Sequence, residues 1–212
     1  MLRPLTGLSM LEKITKDFLT LWVTIEPFST VVLFAALTAR LAQPERRRVA
    51  RKAIIYSTVI LLGSMVVGQA LLTAMRISLH SFQVAGGLVL LFFSVQMIFG
   101  IAGGGEKTEE GHDMAVFPLA VPSLAGAEAI MASVILTDNN AYSITTQIMT
   151  GVVLVLIMAI TWGMLLAAEP IFRVLGKNGA AILERVTGMI LAALAIELMM
   201  NGLGVARWMN AT

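Results

Sequence analysis

Two glutamates fall in stretches of this chain that are otherwise apolar, and each lies close to a proline. The first stretch reads Ile25-Glu26-Pro27-Phe28-Ser29-Thr30 and the second Val121-Pro122-Ser123-Leu124-Ala125-Gly126-Ala127-Glu128. A carboxylate at the centre of a bilayer costs about 2.5–3.5 kcal/mol even on lenient insertion scales, so it calls for a partner, a watery cavity or a proton. Glu26 and Glu128 therefore suit two tasks: pairing with the ammonium group of a solute, or carrying a coupled proton as access alternates between the two sides. The competing role is an internal staple, a permanently protonated acid bonded to a backbone carbonyl.

The prolines add a second kind of chemistry. Pro27 and Pro122 each lack an N–H and disturb the carbonyl one turn earlier. At membrane depth such freed groups are tolerated only where they face protein, water or a solute. Half-helices starting after Pro27 and Pro122 would aim N–H groups and partial positive charge at an anionic group. Ser29, Thr30, Ser123 and Gly126 would bring hydroxyls and close backbone to the same place. The substrate-binding set is then Glu26, Pro27, Ser29, Thr30, Pro122, Ser123, Gly126 and Glu128. An ordinary packed kink remains the alternative for either proline alone. Gln96 and Glu197 are secondary candidates, with an interhelical hydrogen bond as the competing role.

Other chemistries find no support. With no cysteine among 212 residues there is no thiol nucleophile, disulfide or Cys-based metal site. His80 and His112 fall in expected loops, so no metal site is expected. No His-Glu-x-x-His, phosphate-loop or dinucleotide motif occurs, so no cofactor is expected. An intramembrane enzyme using the Glu pair as an acid–base dyad is the runner-up to a transporter. A structural or sensory membrane protein is the third reading. A net charge of +2 argues against nucleic acid as a partner.

The elements that must position these residues are membrane helices. Hydrophobic residues make up 58% of the chain and charged ones 13%, about half the usual charged share, and the mean hydropathy is +0.86. A helix needs roughly 20 apolar residues to span. Six segments qualify: 18–39, 53–75, 82–101, 116–137, 145–168 and 186–206. Residues 1–16 read as an interfacial helix or a disordered leader. Residues 40–52 form a basic loop, 76–81 and 138–144 tight hairpins, and 169–185 a further loop. Of the 15 Lys and Arg, ten fall on the side of the 40–52, 102–115 and 169–185 loops. Positive charge is retained in the cytoplasm, so both termini are expected on the outer, periplasmic side.

The halves also repeat. Pro27 and Pro122 are 122 − 27 = 95 positions apart, while Val84–Leu90 matches Arg185–Leu191 at an offset of 101, which sets Gln96 against Glu197. The expected fold is all-α, a single transmembrane domain of two inverted three-helix repeats, 1–101 and 116–206, joined by the Gly-rich linker 102–115. Gly86, Gly87 and Gly188 suit close helix contacts. Ser64-x-x-x-Gly68 serves packing within one chain or between chains, which leaves a homo-oligomer open.

These motifs resemble the MarC family of bacterial inner-membrane proteins over essentially the whole chain. The family's first-span pattern, Asn/Asp-Pro-x-Gly followed by Pro and Phe, appears as Glu26-Pro27-Phe28-Ser29-Thr30 with Val32 and Phe34. Its fourth-span pattern appears as Pro118-Leu119-Ala120-Val121-Pro122 and then Ala125-Gly126-Ala127-Glu128, with Ala127 and Glu128 in place of Pro and Gly. The resemblance implies an inverted-repeat transporter fold and, by similarity to some members, export of small neutral amino acids across the inner membrane.

Overall fold

A computed structural model describes residues 7–100, 113–139 and 141–205. These residues are helical with no strand among them. The first helix, α1 (Gly7–Ile25), runs unbroken to Glu26, and α2 (Pro27–Leu37) begins at the next residue. Pro27 occupies the first helical position, where its missing N–H costs nothing. It pushes the residue before it out of the right-handed helical region, and Glu26 takes φ 51° and ψ 61°. The break is one residue wide. The amide of Glu26 still bonds the Trp22 carbonyl at 3.2 Å, and the Glu26 carbonyl still accepts from the Thr30 amide at 3.2 Å. The two helices together form one span-length element, Met10–Leu37. Residues 7–16 thus belong to the first helix rather than to a separate leader, and residues 1–6 lie outside the described residues.

Next come α3 (Gln43–Ala74) and α4 (Leu79–Phe99). Pro44 starts α3 by the same rule, so most of the expected basic loop is helix and the arginines from Arg46 to Arg51 decorate its first turns. His80 likewise lies in the first turn of α4 rather than in a loop. The second broken region differs from the first. Ala115–Leu124 is wound irregularly, with extended residues at Phe117 and Val121, each preceding a proline across a cis peptide bond. Regular helix resumes only at α5 (Ala127–Leu136), after Gly126, with a bend of 54° between the two pieces. The half-helix expected directly after Pro122 therefore begins five residues later. A turn holding Asp138 and Asn139 leads to α6 (Ile144–Leu166). The segment expected as the loop 169–185 is helical too. It belongs to α7 (Ala168–Gly202), interrupted at Gly176, whose φ of 62° and ψ of 177° suit only glycine.

Four of these helices are long and apolar enough to cross a membrane: Met10–Leu37, Gln43–Ala74, Leu79–Phe99 and Ile144–Leu166. The bent pair Ala115–Leu124 and Ala127–Leu136 makes a fifth if counted as one span. Among the described residues the count is thus four or five where the sequence suggests six; 186–206 falls mostly within α7. The outward faces carry large apolar side chains, Val66, Val152 and Ile148 among them, as a lipid-facing surface must. The 102–115 linker lies outside the described residues except at its end, where Lys52 pairs with Asp113 at 2.6 Å and holds that carboxyl below its usual range.

The main core joins α1, α2, α3, α5, α6 and the irregular stretch through residues such as Leu21, Phe34, Leu61, Leu119 and Ile157. A second, smaller core of Leu90, Met97, Leu191 and Ala195 lies between α4 and α7. Glycines set the spacing there, as their placement in the sequence suggests. A Cβ on Gly87 would sit 2.7 Å from the Ala195 carbonyl, and one on Gly188 would sit 3.1 Å from the Ser94 carbonyl. Gly68 faces Val134 of α5 within the same chain.

At the end of α1 far from the break, Lys13 bonds both carboxylate oxygens of buried Asp17 at 2.5 and 2.6 Å. Asp17 also accepts from Thr150 of α6 at 2.6 Å, while Lys13 reaches the Leu136 carbonyl at 3.3 Å and covers the Tyr142 ring at 4.0 Å. One ion pair thus binds α1 to α6 and to the end of α5. Two outcomes follow for thermal unfolding in detergent. Gly87→Val forces α4 off α7 and lowers stability by about 1–3 kcal/mol. Asp17→Ala strands the Lys13 charge and costs about 3–5 kcal/mol, whereas unchanged melting would mean that Lys13 reaches water.

Candidate functional site

The break before α2 opens onto a cavity of about 400 Å³ between α2, α4, α7 and the irregular stretch. Glu26 stands at its edge because Pro27 turns the chain there. The residue is only 6% exposed, and its Oε1 is buried with no hydrogen-bond partner among the described residues. Ser29, one turn into α2, donates toward the same carboxylate and also lines the cavity. Ser123 enters from the irregular stretch, and Glu184 enters from α7 near enough to repel Glu26. Phe28, Val32, Leu33, Phe93, Met97 and Leu183 supply apolar walls. A smaller neighbouring cavity of about 180 Å³ shares Glu26 and Ser29 and adds Pro27 and Thr187.

A short hydrogen-bond chain crosses between the two broken regions. Thr30 is wholly buried, and its hydroxyl donates to the Glu26 carbonyl at 3.3 Å. The Thr30 and Ser123 hydroxyls share a hydrogen bond at 2.9 Å, in which either oxygen can donate. That leaves the Ser123 oxygen with lone pairs toward the cavity. The carbonyl of Ala120, freed by the irregular winding, accepts the Ala125 amide at 2.8 Å and the Ser57 hydroxyl of α3 at 3.4 Å. The breaks are therefore held by neighbouring helices, which keeps the backbone satisfied away from water.

The profile of MarC family integral membrane proteins matches residues 11–206. The chain belongs to the MarC family. It is 33% identical over 192 residues to a UPF0056 membrane protein of Methanocaldococcus jannaschii, covering 88% of this chain and 93% of that one. A UPF0056 membrane protein of Archaeoglobus fulgidus is 32% identical, covering 88% and 90%. The inner membrane protein MarC of Escherichia coli is 26% identical, covering 92% and 96%. No solved structure matches the chain.

Within this MarC fold the suggested site residues separate into three groups. Glu26, Ser29 and Ser123 line the main cavity, and Pro27 lines its neighbour. Thr30 and Pro122 serve the scaffold, the first through the bond to Ser123 and the second by shaping the irregular stretch. Glu128 is 5% exposed and lies in the first turn of α5. Its carboxylate is turned back toward its own amide and packs over Gly126, where an added Cβ would come within 2.6 Å of the Glu128 Cδ. It stays close enough to Glu26 to repel it, yet it is not among the residues lining either cavity. Gln96 and Glu197 are exposed, and Glu197 accepts from Asn201 at 3.0 Å.

The residue that sequence reasoning missed is Glu184. It falls within 169–185, the segment that the sequence reads as a loop. The apolar run Ala180-Ala181-Ile182-Leu183 was the signal that helix had already resumed. A double-mutant cycle of Thr30→Val and Ser123→Ala checks the bond between the two breaks. The expected coupling is about 0.6 kcal/mol and at most about 1.7, typical of hydroxyl pairs between membrane helices. Strict additivity would mean that the bond contributes nothing.

Proposed function

We propose that the protein is a secondary transporter that moves small polar solutes across the inner membrane, outward, with small neutral amino acids as the class the family resemblance implies. The observation that carries this is Glu26: a carboxylate with an unpartnered oxygen, at a helix break, on the edge of a cavity of about 400 Å³. A solute ammonium would pair with that oxygen, or a proton would occupy it between transport steps. The cavity is large enough for a small solute, and its walls are mostly apolar with a few converging polar groups, as ligand sites usually are. We read the protein as a carrier rather than an enzyme, since Glu26 lies beside hydroxyls and carboxylates suited to holding a solute.

Six spans in two inverted repeats, 1–101 and 116–206, fit the same reading. The helix pairings are those that a two-fold relation between halves would give. The first span meets α6, the fifth, as the bent fourth meets α3, the second; α4 and α7 pair with each other. The two regular half-helices begin at Pro27 and Ala127, 127 − 27 = 100 positions apart. That agrees within one residue with the offset of 101 between α4 and α7, better than the proline spacing of 95. An odd number of spans per half inverts the second half, and with the charge asymmetry both termini face the periplasm.

Purified protein in liposomes loaded with labelled alanine or glycine tests the function. Efflux above that of protein-free vesicles is expected, accelerated by an opposing proton gradient if Glu26 carries the proton. Glu26→Gln should slow it by about tenfold or more, the scale of losing one partner of a desolvated charge pair. Efflux unaffected by Glu26→Gln would remove Glu26 from the mechanism, and no flux of any small solute would end the transporter reading.

A further inference from the structure

The polar side chains around the cavity are two carboxylates and two hydroxyls: Glu26 and Glu184 accept only, Ser29 donates toward Glu26, and Ser123 shares a hydrogen bond with Thr30 and offers lone pairs. None of the described residues lining the cavity is a lysine, arginine or histidine. A zwitterion placed there would satisfy its ammonium and bring its own carboxylate against Glu26 and Glu184. The start of α2 relieves little of that repulsion: Pro27 has no N–H and the Glu26 side chain already stands at that end, which leaves the Phe28 and Ser29 amides against two carboxylates. An inorganic cation is poorly served too, since no group of three or more metal-ligating side chains occurs among the described residues. A volume of about 400 Å³ with Phe28 and Phe93 in its walls instead suits an organic body carrying a positive head.

We infer that the cavity is an organic-ammonium site in which Glu184 of α7 and Glu26 of the first break together hold the cationic head of a small amine, with Ser123 as third acceptor. The inference keeps the transporter reading but puts an amine in place of a neutral amino acid as the solute, and it rests on that reading for the solute's passage, not for its binding. An ammonium is donor-only, with three N–H bonds to give, and the two carboxylates and Ser123 offer acceptors for all of them. The buried Oε1 of Glu26, with no partner among the described residues, is the acceptor nearest to hand for that head. Two carboxylates facing one cation also explain why like charges are brought together here at all: the ligand supplies the neutralising charge that the described lining residues do not.

Thermal melting of the purified full-length protein in detergent tests this with three probes of similar size at matched ionic strength: n-butylamine, n-butyrate and L-alanine. A ligand that binds the folded state raises the melting temperature by mass action. We expect n-butylamine to raise it at concentrations about tenfold below those needed by alanine, and butyrate to leave it unchanged. Glu184→Gln should weaken the amine by about tenfold, while Glu184→Asp, which keeps the charge, should hold most of its affinity. Alanine binding as tightly as n-butylamine would overturn the inference, as would no shift with the amine or amine binding indifferent to Glu184→Gln. The two readings fail separately. Glu184-dependent amine binding without flux in vesicles keeps the ammonium site and discards transport. Alanine efflux untouched by Glu184→Gln keeps transport and discards the ammonium site.

Discussion

A backbone carbonyl or amide without a partner is the costliest thing a chain can place in lipid, and this fold is organised around two places where its own prolines create that problem. At Glu26 the solution is minimal. One residue leaves the helix, the flanking bonds to Trp22 and Thr30 survive, and the helix continues. In the irregular stretch more backbone is released, and other helices must supply partners. Ser57 of α3 reaches the Ala120 carbonyl at 3.4 Å, and beyond the stretch Gln69 of the same helix caps the Val134 carbonyl near the end of α5 at 2.8 Å. The Thr30–Ser123 bond then locks one break to the other. The Thr30–Ser123 bond also places the candidate site, because α2 and the irregular stretch that it joins both wall the cavity.

Charge is handled in two opposite ways at the two ends of the first span. Near its start, Asp17 is surrounded: Lys13 neutralises it and Thr150 donates to it, so a buried carboxylate becomes a tie between α1 and α6. At Glu26 the same kind of group has one oxygen without a partner and two further carboxylates, Glu184 and Glu128, within electrostatic reach. A chain able to build the first arrangement has the means to build the second likewise. Leaving one oxygen of Glu26 without a partner carries a desolvation cost that the Lys13–Asp17 pair avoids.

Much of this was legible in the sequence, for a reason specific to membranes. An apolar run of the right length has few folded options, so the helices around 53–75, 82–101 and 145–168 follow from composition alone. Proline and glycine act locally, so the break at Pro27 and the close approach of α4 and α7 at Gly87 and Gly188 were readable as well. The errors came where local signals compete. Pro122 marks the second broken region correctly, but it shapes an extended stretch rather than starting a helix, because Pro118 four residues earlier has already taken the backbone out of helical geometry. Basic residues at 46–52 and 173–185 looked like loop, yet long charged side chains are good helix formers and their helices simply extend beyond the apolar core. Which way a side chain faces is a tertiary property. No pattern in the chain distinguishes Glu128, folded over Gly126, from Glu26, which faces the cavity.

That difference between the two glutamates has a local physical cause. Glu26 stands at a break too narrow to absorb it, so its side chain goes outward to the cavity. Glu128 follows a glycine and begins a new helix, where its carboxylate finds its own amide and the positive end of α5. Glu26 stands at the start of α2 in the same way, with Pro27 removing one donor and leaving the Phe28 and Ser29 amides. The two glutamates differ in what surrounds them: Glu26 lines both cavities, whereas Glu128 packs over Gly126 and lines neither, so a similar local sequence leaves one carboxylate open to a cavity and the other closed off from it.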